Sequence, residues 1–485
     1  MRICINIVTV VLAAIVPLLA RTCEDLASLR VHGMTVTSAR EFSKPSTSCR
    51  VAATLRPTGD SEIEIEVWLP EAHAWNGKYE AAGNGGWGGS LNYGDMTSAL
   101  SRGYATSSTD TGHTGGRASF ATGHPEKLID FGYRSIHEMT LAAKQIIAAF
   151  YGHGPRLSYF AGCSSGGRQA LMEAQRFPQD YDGIIAGAPT NNWTKLMFGR
   201  IWVAQATLSD PARYIDPSQY AIIHRAVLAA CDSLDGVKDG VLENPMQCHF
   251  DPAVLACKDN AGPACLTKEQ VQAAQRIYMP AKNPVTGEEI FPPMERGSEL
   301  VWKTLAGGPK PILLADDYFR YVVFENPQWD FKALNFASDV TKALERDGGT
   351  LSATNPELRP FFGHGGKLIH YHGWTDQQVM PRNSIHYYES VAAVIGKTKT
   401  ADSYRLFMVP GMNHCRGGDG PDTFDMLSAL EQWREHEKAP DAILASHSTD
   451  SKVDRTRPLC PYPEVSRYKG AGSTDDAANF SCVVQ

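Results

Sequence analysis

Residues 157–170 read LSYFAGCSSGGRQA, and the fold follows from how they are read. Leu157, Tyr159 and Phe160 make an apolar, aromatic run that predicts a buried strand, and RQALMEAQRF from Arg168 onward is strong helix-forming sequence. Between them lies Gly162-Cys163-Ser164-Ser165-Gly166, a G-x-S-x-G pattern. Strand, tight glycine turn and helix form the context of a nucleophile elbow. There the serine is held in a strained conformation, and only glycine lets neighbouring backbone pass so close. Ser164, not Ser165, is in register, because Gly162 and Gly166 flank it. The same letters also suit a Gly/Ser-rich turn that merely joins strand to helix. The rest of the chain has to decide.

Downstream, residues 367–372 (KLIHYH) predict a strand, followed by the loop Gly373-Trp374-Thr375-Asp376. Residues 404–409 (YRLFMV) predict another, ending in Pro410-Gly411-Met412-Asn413-His414-Cys415. Ser164, Asp376 and His414 therefore occur in the order nucleophile, acid, base, each just after a predicted strand, which is the chain order of the α/β-hydrolase triad. A neutral His414 takes the proton of Ser164, while Asp376 fixes its tautomer and stabilises the imidazolium. His113, His364, His370 and His372 have no such partner order and read as structural or surface groups. Upstream, residues 61–70 (SEIEIEVWLP) alternate like a half-buried strand, and residues 78–82 predict a shorter one. The latter runs into Gly83-Asn84-Gly85-Gly86-Trp87-Gly88-Gly89, whose free backbone N–H groups can approach a ligand. In α/β-hydrolases the loop after an early strand supplies one oxyanion donor and the residue after the nucleophile the other, which points to Gly85 or Gly86 together with Ser165. A flexible hairpin loop is the other reading. Residues 131–151 carry Ile136, Met139, Leu141, Ala142, Ile146 and Ile147 at helical spacing and lead into the elbow strand.

The expected class is thus an α/β-hydrolase fold, a doubly wound, mainly parallel sheet with a large inserted lid domain. Residues 21–190 and 367–485 would form the catalytic domain and residues 191–366 the lid, where helical patterns and proline-rich loops replace strands. Within the lid, Asp232, Asp235 and Asp239 with interleaved glycines suit a hard-cation loop completed by the carbonyls of Val237 and Val241. The spacing is not that of an EF-hand, and on the residues alone an acidic surface turn is the favoured reading. Residues 1–20 carry Arg2, an apolar core and Ala20, the pattern of a signal peptide rather than a membrane anchor. The chain has 11 cysteines, and loss of Cys4 with the signal leaves an even set, as suits an oxidising compartment. Short spacings suggest the local pairs Cys23–Cys49, Cys231–Cys248, Cys257–Cys265 and Cys460–Cys482, leaving Cys163 and Cys415 for each other. No zinc-like Cys or His spacing competes. A formal net charge of −7 argues against a nucleic-acid surface, and no later stretch is long and apolar enough to span a bilayer.

Three motifs, Gly162-Cys163-Ser164-Ser165-Gly166-Gly167, His372-Gly373-Trp374-Thr375-Asp376 and Gly411-Met412-Asn413-His414-Cys415, together resemble the tannase and feruloyl esterase family over nearly the whole mature chain. The resemblance implies a secreted serine esterase with a Cys-Ser, Asp, His-Cys constellation, in which a disulfide joins the residues here numbered Cys163 and Cys415. It also implies a structural Ca2+ in the lid at Asp232, Asp235, Val237, Asp239 and Val241. The substrates it implies are esters of aromatic acids, feruloyl or other hydroxycinnamoyl and galloyl esters, some borne on plant polysaccharide or polyphenol. A relative with an elaborated lid hydrolyses mono(2-hydroxyethyl) terephthalate, so a terephthalate-monoester or broad carboxylesterase is the alternative. A catalytically silent, calcium-dependent binding protein is the non-enzyme one. Trp193, Phe198, Trp202, Tyr318, Phe319 and Tyr321 could stack on an aromatic ring or form the lid's own core, and Arg320 could meet a carboxylate or a structural partner.

Overall fold

The computed structural model describes residues 22–44, 46–258 and 262–484; the expected signal peptide lies outside the described residues. In chain order the strands are β1 (Met34–Phe42), β2 (Ser48–Leu55), β3 (Ile63–Pro70), β4 (Lys78–Ala82), β5 (Ala105–Thr109), β6 (Leu157–Cys163) and β7 (Gly183–Gly187). There follow β8 (Ala281–Lys282), β9 (Glu289–Phe291), β10 (Lys367–Gly373), β11 (Tyr404–Val409), β12 (Ile443–Thr449), β13 (Lys452–Leu459), β14 (Glu464–Tyr468) and β15 (Phe480–Val484). Nine of them form one sheet in the order β1-β2-β3-β5-β4-β6-β7-β10-β11. From β5 through β11 all neighbours run parallel, whereas β1, β2 and β3 form an antiparallel extension. The sheet reverses its order of accretion around β4, β5 and β6, and the carboxyl ends next to that switch are where open α/β sheets place their sites.

Local sequence explains these strands. In β3 the isoleucines and Val67 are buried while the intervening glutamates are only half-buried, the period-2 pattern of a sheet with one wet face. The central β7, Gly-Ile-Ile-Ala-Gly, is buried throughout because helices cover both faces. The helix Ser135–Tyr151 packs Ile136, Met139, Ala142, Ile146 and Ile147 onto one face with the elbow helix Ser165–Arg176. Leu141 falls off that stripe and is 40% exposed, so one of the six apolar positions read as core faces water. On the other face, the helix Met426–His436 packs Leu430 and Trp433 against Tyr159, Ile185, Ile369 and Phe407.

Between β7 and β10 the described residues add nothing to the large sheet. They form helices and the small β8–β9 hairpin around an apolar cluster that also takes in Trp87, Ala118 and Phe131. Trp193, Phe198, Tyr318 and Phe319 lie fully buried in that cluster, and Trp202 and Tyr321 pack against it. These aromatics are the segment's own core, and Arg320 forms an i, i+4 ion pair with Asp316 at 2.7 Å. Five disulfides join the pairs Cys23–Cys49, Cys163–Cys415, Cys231–Cys248, Cys257–Cys265 and Cys460–Cys482. No helix among the described residues is long and apolar enough to cross a membrane.

Candidate active site

Ser164 stands between the end of β6 and the first residue of the elbow helix, at φ 64° and ψ −120°. A serine at positive φ is strained, a cost of order 1–3 kcal/mol that the surroundings must hold in place. The amide of Ser164 donates to Gly187 at 2.9 Å, and its carbonyl accepts from Arg168 and Thr190, each at 3.1 Å. The flanking glycines are steric necessities. A methyl group on Gly162 would sit 2.6 Å from the backbone of Gly166, and one on Gly83 would sit 2.8 Å from the Gly166 Cα. The glycine loop thus lies directly on the elbow.

Ser164 borders a cavity of about 680 Å3 that it shares with Gly85, Gly86, His414, Gln378, Arg416 and Leu314. Among the described residues, Leu314 is the one lining residue drawn from the inserted segment. Among the described residues neither the Gly85 nor the Gly86 amide donates to a protein acceptor. The hydroxyl of Ser165 donates to the Gly86 carbonyl at 2.6 Å and pins the loop, while the amide of Ser165, opening a helix, has no intrahelical partner. Three backbone donors named from the sequence therefore stand around the nucleophile.

Asp376 and His414 are brought together by the parallel neighbours β10 and β11, whose terminal residues Gly373 and Val409 are in register. Nδ1 of His414 lies 2.7 Å from Oδ2 of Asp376. Asp376 is 1% exposed, and its Oδ1 accepts the amides of Gln378 and Val379 at 2.7 and 2.8 Å. Burial pushes this carboxyl up, but the charge of His414 and the hydrogen bonds from His372 and His414 outweigh it. The carboxyl is held well below the usual carboxylate range. Ser164 and His414 border the cavity without a hydrogen bond between them, so proton transfer requires the imidazole and the hydroxyl to draw together. The Cys163–Cys415 disulfide, with Cα atoms 6.1 Å apart, joins the residue before the serine to the residue after the histidine.

Two residues near the triad escaped the sequence reading. His372, read there as structural, puts its Nε2 3.1 Å from Oδ2 of Asp376. Arg200, on the helix Trp193–Leu208 of the inserted segment, is 1% exposed, donates to the Gln378 carbonyl at 2.9 Å, and sets its charge toward Asp376. A lone arginine among Leu196, Met197, Phe198, Ile201 and Val203 was the signal that could have found it.

The candidate cation loop lies apart from this cavity, against β13 and β14. Gly236 and Gly240 hold it at positive φ. Asp235, Asp239, Val237 and Val241 border a small space of about 10 Å3 with Glu243, Arg455 and Arg457, room for about one ion or water. Asp232 is not in that lining; its carboxylate accepts the Gly240 amide at 3.1 Å. Asp239 also pairs with Arg457. The carboxylates and carbonyls here are hard-oxygen donors that fit Ca2+ in their chemistry, while Arg455 and Arg457 bring positive charge to the same space.

Known proteins resemble the chain over nearly its whole length. The family model for tannase and feruloyl esterase matches residues 49–483. An uncharacterized esterase of Xanthomonas campestris is 37% identical, with 95% of this chain and 91% of the relative covered. A protein of Neosartorya fischeri named probable feruloyl esterase B-2 is 34% identical over 90% of this chain and 86% of its own. Among solved structures, feruloyl esterase B from Aspergillus oryzae superposes with a TM-score of 0.89 at 31% identity, covering 95% of this chain and 99% of its own. Tannin acyl hydrolase from Aspergillus niger shares the fold at a TM-score of 0.79 and 22% identity, over 94% of this chain and 93% of its own. This chain belongs to the tannase and feruloyl esterase family and is a carboxylic ester hydrolase on the α/β-hydrolase fold.

Proposed function

We propose that the protein is an exported serine esterase that hydrolyses esters of aromatic acids, feruloyl or galloyl, through an acyl-enzyme. The observation that carries the reading is the 2.7 Å Asp376–His414 pair beside a cavity walled by an elbow serine and by unpaired glycine-loop amides. In this mechanism Oγ of Ser164 attacks the ester carbonyl as Nε2 of His414 takes its proton, with Asp376 stabilising the imidazolium. The oxyanion is met by the amide of Ser165 and that of Gly85 or Gly86. Collapse breaks the ester C–O bond, and His414 returns the proton to the departing alcohol. A water then attacks the acyl group by the same route and frees the acid. Five disulfides favour an oxidising destination, which together with the signal pattern supports export. We further propose that Asp232, Asp235, Asp239 and the carbonyls of Val237 and Val241 hold a structural Ca2+. That ion would order its loop and supply nothing to acyl transfer.

The test is stoichiometric labelling of Ser164 by a phosphonate, followed by rates on ferulate, gallate and terephthalate monoesters and on aliphatic esters of the same alcohols. Aromatic esters should be turned over at least tenfold faster than aliphatic ones. Equal rates across both would leave the broad carboxylesterase, and no labelling would overturn the triad assignment.

A further inference from the structure

Behind Asp376 a file of polar side chains runs into the core, with His372, Ser384, His370 and Tyr404 all fully buried. His370 and His372 are alternate residues of β10 and point to one face; Ser384 comes from the helix Arg382–Ile395, and Tyr404 opens β11. The contacts are continuous. Tyr404 OH lies 2.7 Å from Nδ1 of His370, whose Nε2 lies 2.7 Å from Oγ of Ser384. That Oγ lies 2.6 Å from Nδ1 of His372, whose Nε2 faces Oδ2 of Asp376 at 3.1 Å and the Val379 carbonyl at 2.9 Å.

With the His372 ring taken as neutral, counting protons gives every bond a direction. Nε2 of His372 faces only acceptors, a carboxylate and a carbonyl, so it must carry a hydrogen. In the neutral ring Nδ1 then accepts, and the proton of Ser384 goes to it. With that proton used, Oγ of Ser384 accepts from Nε2–H of His370, and Nδ1 of His370 accepts from the Tyr404 hydroxyl. Burial holds His370 well below its ordinary range, so that ring is neutral and has one hydrogen to place. Every donor in the file thus points toward Asp376. Asp376 itself has four donors for its acceptor sites, two amides on Oδ1 and two imidazoles on Oδ2.

We propose that His372, oriented by Ser384, His370 and Tyr404, is a positioning residue for the reaction, holding the Asp376 carboxylate in place and sharing Oδ2 with His414. The proposal rests on the triad reading above. Sharing has a chemical consequence. The second N–H draws charge from Oδ2, so the imidazolium of His414 is stabilised enough to form but not so much that it withholds its proton from the leaving alcohol. The other titratable groups around the pair are Arg200, from the helix packed over Asp376, and Arg416, Asp95 and Glu80, which line the same cavity as His414. His372 enters this set as a hydrogen-bond donor to Oδ2.

The experiment compares His372→Leu, His372→Gln and Tyr404→Phe with the parent enzyme and with Ser164→Ala, using kcat, KM and the pH profile of kcat/KM. For His372→Leu, kcat should fall about 10- to 100-fold with KM within about twofold, the scale of a displaced catalytic group. Its acid limb should move to higher pH, because a carboxylate relieved of one donor binds the imidazolium proton more tightly. His372→Gln, which keeps an N–H, should recover part of kcat. Tyr404→Phe removes one hydroxyl at the remote end and keeps the packing; it should show a smaller shift of the same sign, and it decides the matter if His372→Leu does not fold. Unchanged kcat and acid limb in His372→Leu, or in Tyr404→Phe where His372→Leu does not fold, with Ser164→Ala inactive, would overturn the positioning role alone. An active Ser164→Ala would overturn the triad reading itself.

Discussion

At the scale of single residues, the strain at Ser164 suits the nucleophile role proposed for it: the residue sits at positive φ in the turn between strand and helix, on the cavity wall. Ser164→Ala should therefore lower kcat by about three to six orders of magnitude without changing the melting temperature, as steady-state rates and calorimetry would show. Ser165→Ala keeps its amide but loses the 2.6 Å bond that pins Gly86, and should cost about tenfold. Glu80 offers a pH test. It is buried in the cavity wall with Oε2 unpartnered, and burial pushes its carboxyl up to about 8. A carboxyl raised on folding gives stability that is complete below its unfolded pKa and is lost as pH rises through about 8. Glu80→Gln should thus be stabilising by on the order of 1 kcal/mol or more at pH 9 relative to its effect at pH 4, read from urea midpoints at both pH values. Ser164, Asp376 and His414 were legible in the sequence because glycine register and strand ends are local signals. Arg200 was not, because its approach to Asp376 is set by how a distant helix packs, and His372 was not, because the turn that folds Asp376 back onto it four residues later leaves no mark in the strand pattern.

At the scale of elements, β4, β10 and β11 were legible within a residue, since each is a short segment of apolar and aromatic residues closed by glycine or proline, even with Glu80, His370, His372 and Arg405 set among them. The helical stripe before the elbow was legible too, apart from Leu141, which the 3.6-residue period turns to solvent. The lid aromatics could not be assigned from sequence, because a ring beside a substrate and a ring in a core have the same composition. The packing resolves them as core. For the loop at residues 232–241 the expected outcome is that chelation lowers the melting temperature. The stabilisation lost is about 2.7 kcal/mol if calcium had been present at a hundredfold its Kd. Differential scanning calorimetry with and without chelator checks this, and an identical trace would remove the calcium proposal. The residual rate on a small ester should be preserved at temperatures where the loop stays folded, since no step of acyl transfer passes through the ion.

At the scale of the whole molecule, four disulfides span 26, 17, 8 and 22 residues, whereas Cys163–Cys415 spans 252. Chain entropy alone would assign so long a loop roughly 5 kcal/mol. The folded core closes much of that loop already, through the β7–β10 and β10–β11 pairings. The double substitution Cys163→Ala with Cys415→Ala should therefore leave a soluble enzyme whose kcat drops about a hundredfold, more than its affinity, because the loops bearing Ser164 and His414 lose their tie. A lost fold with full specific activity in the surviving fraction would show a staple for stability instead. The same span sets a timetable for biogenesis. At about 5–20 residues per second, Cys163 leaves the ribosome on the order of 10–50 s before Cys415, and four other cysteines emerge in the interval. Cys231, Cys248, Cys257 and Cys265 have partners within reach in the chain and can close among themselves, while Cys163 must wait as a thiol. The bond beside the nucleophile is thus the last of these to form, and a nascent chain acquires its tied catalytic loops only once nearly all of it has been made.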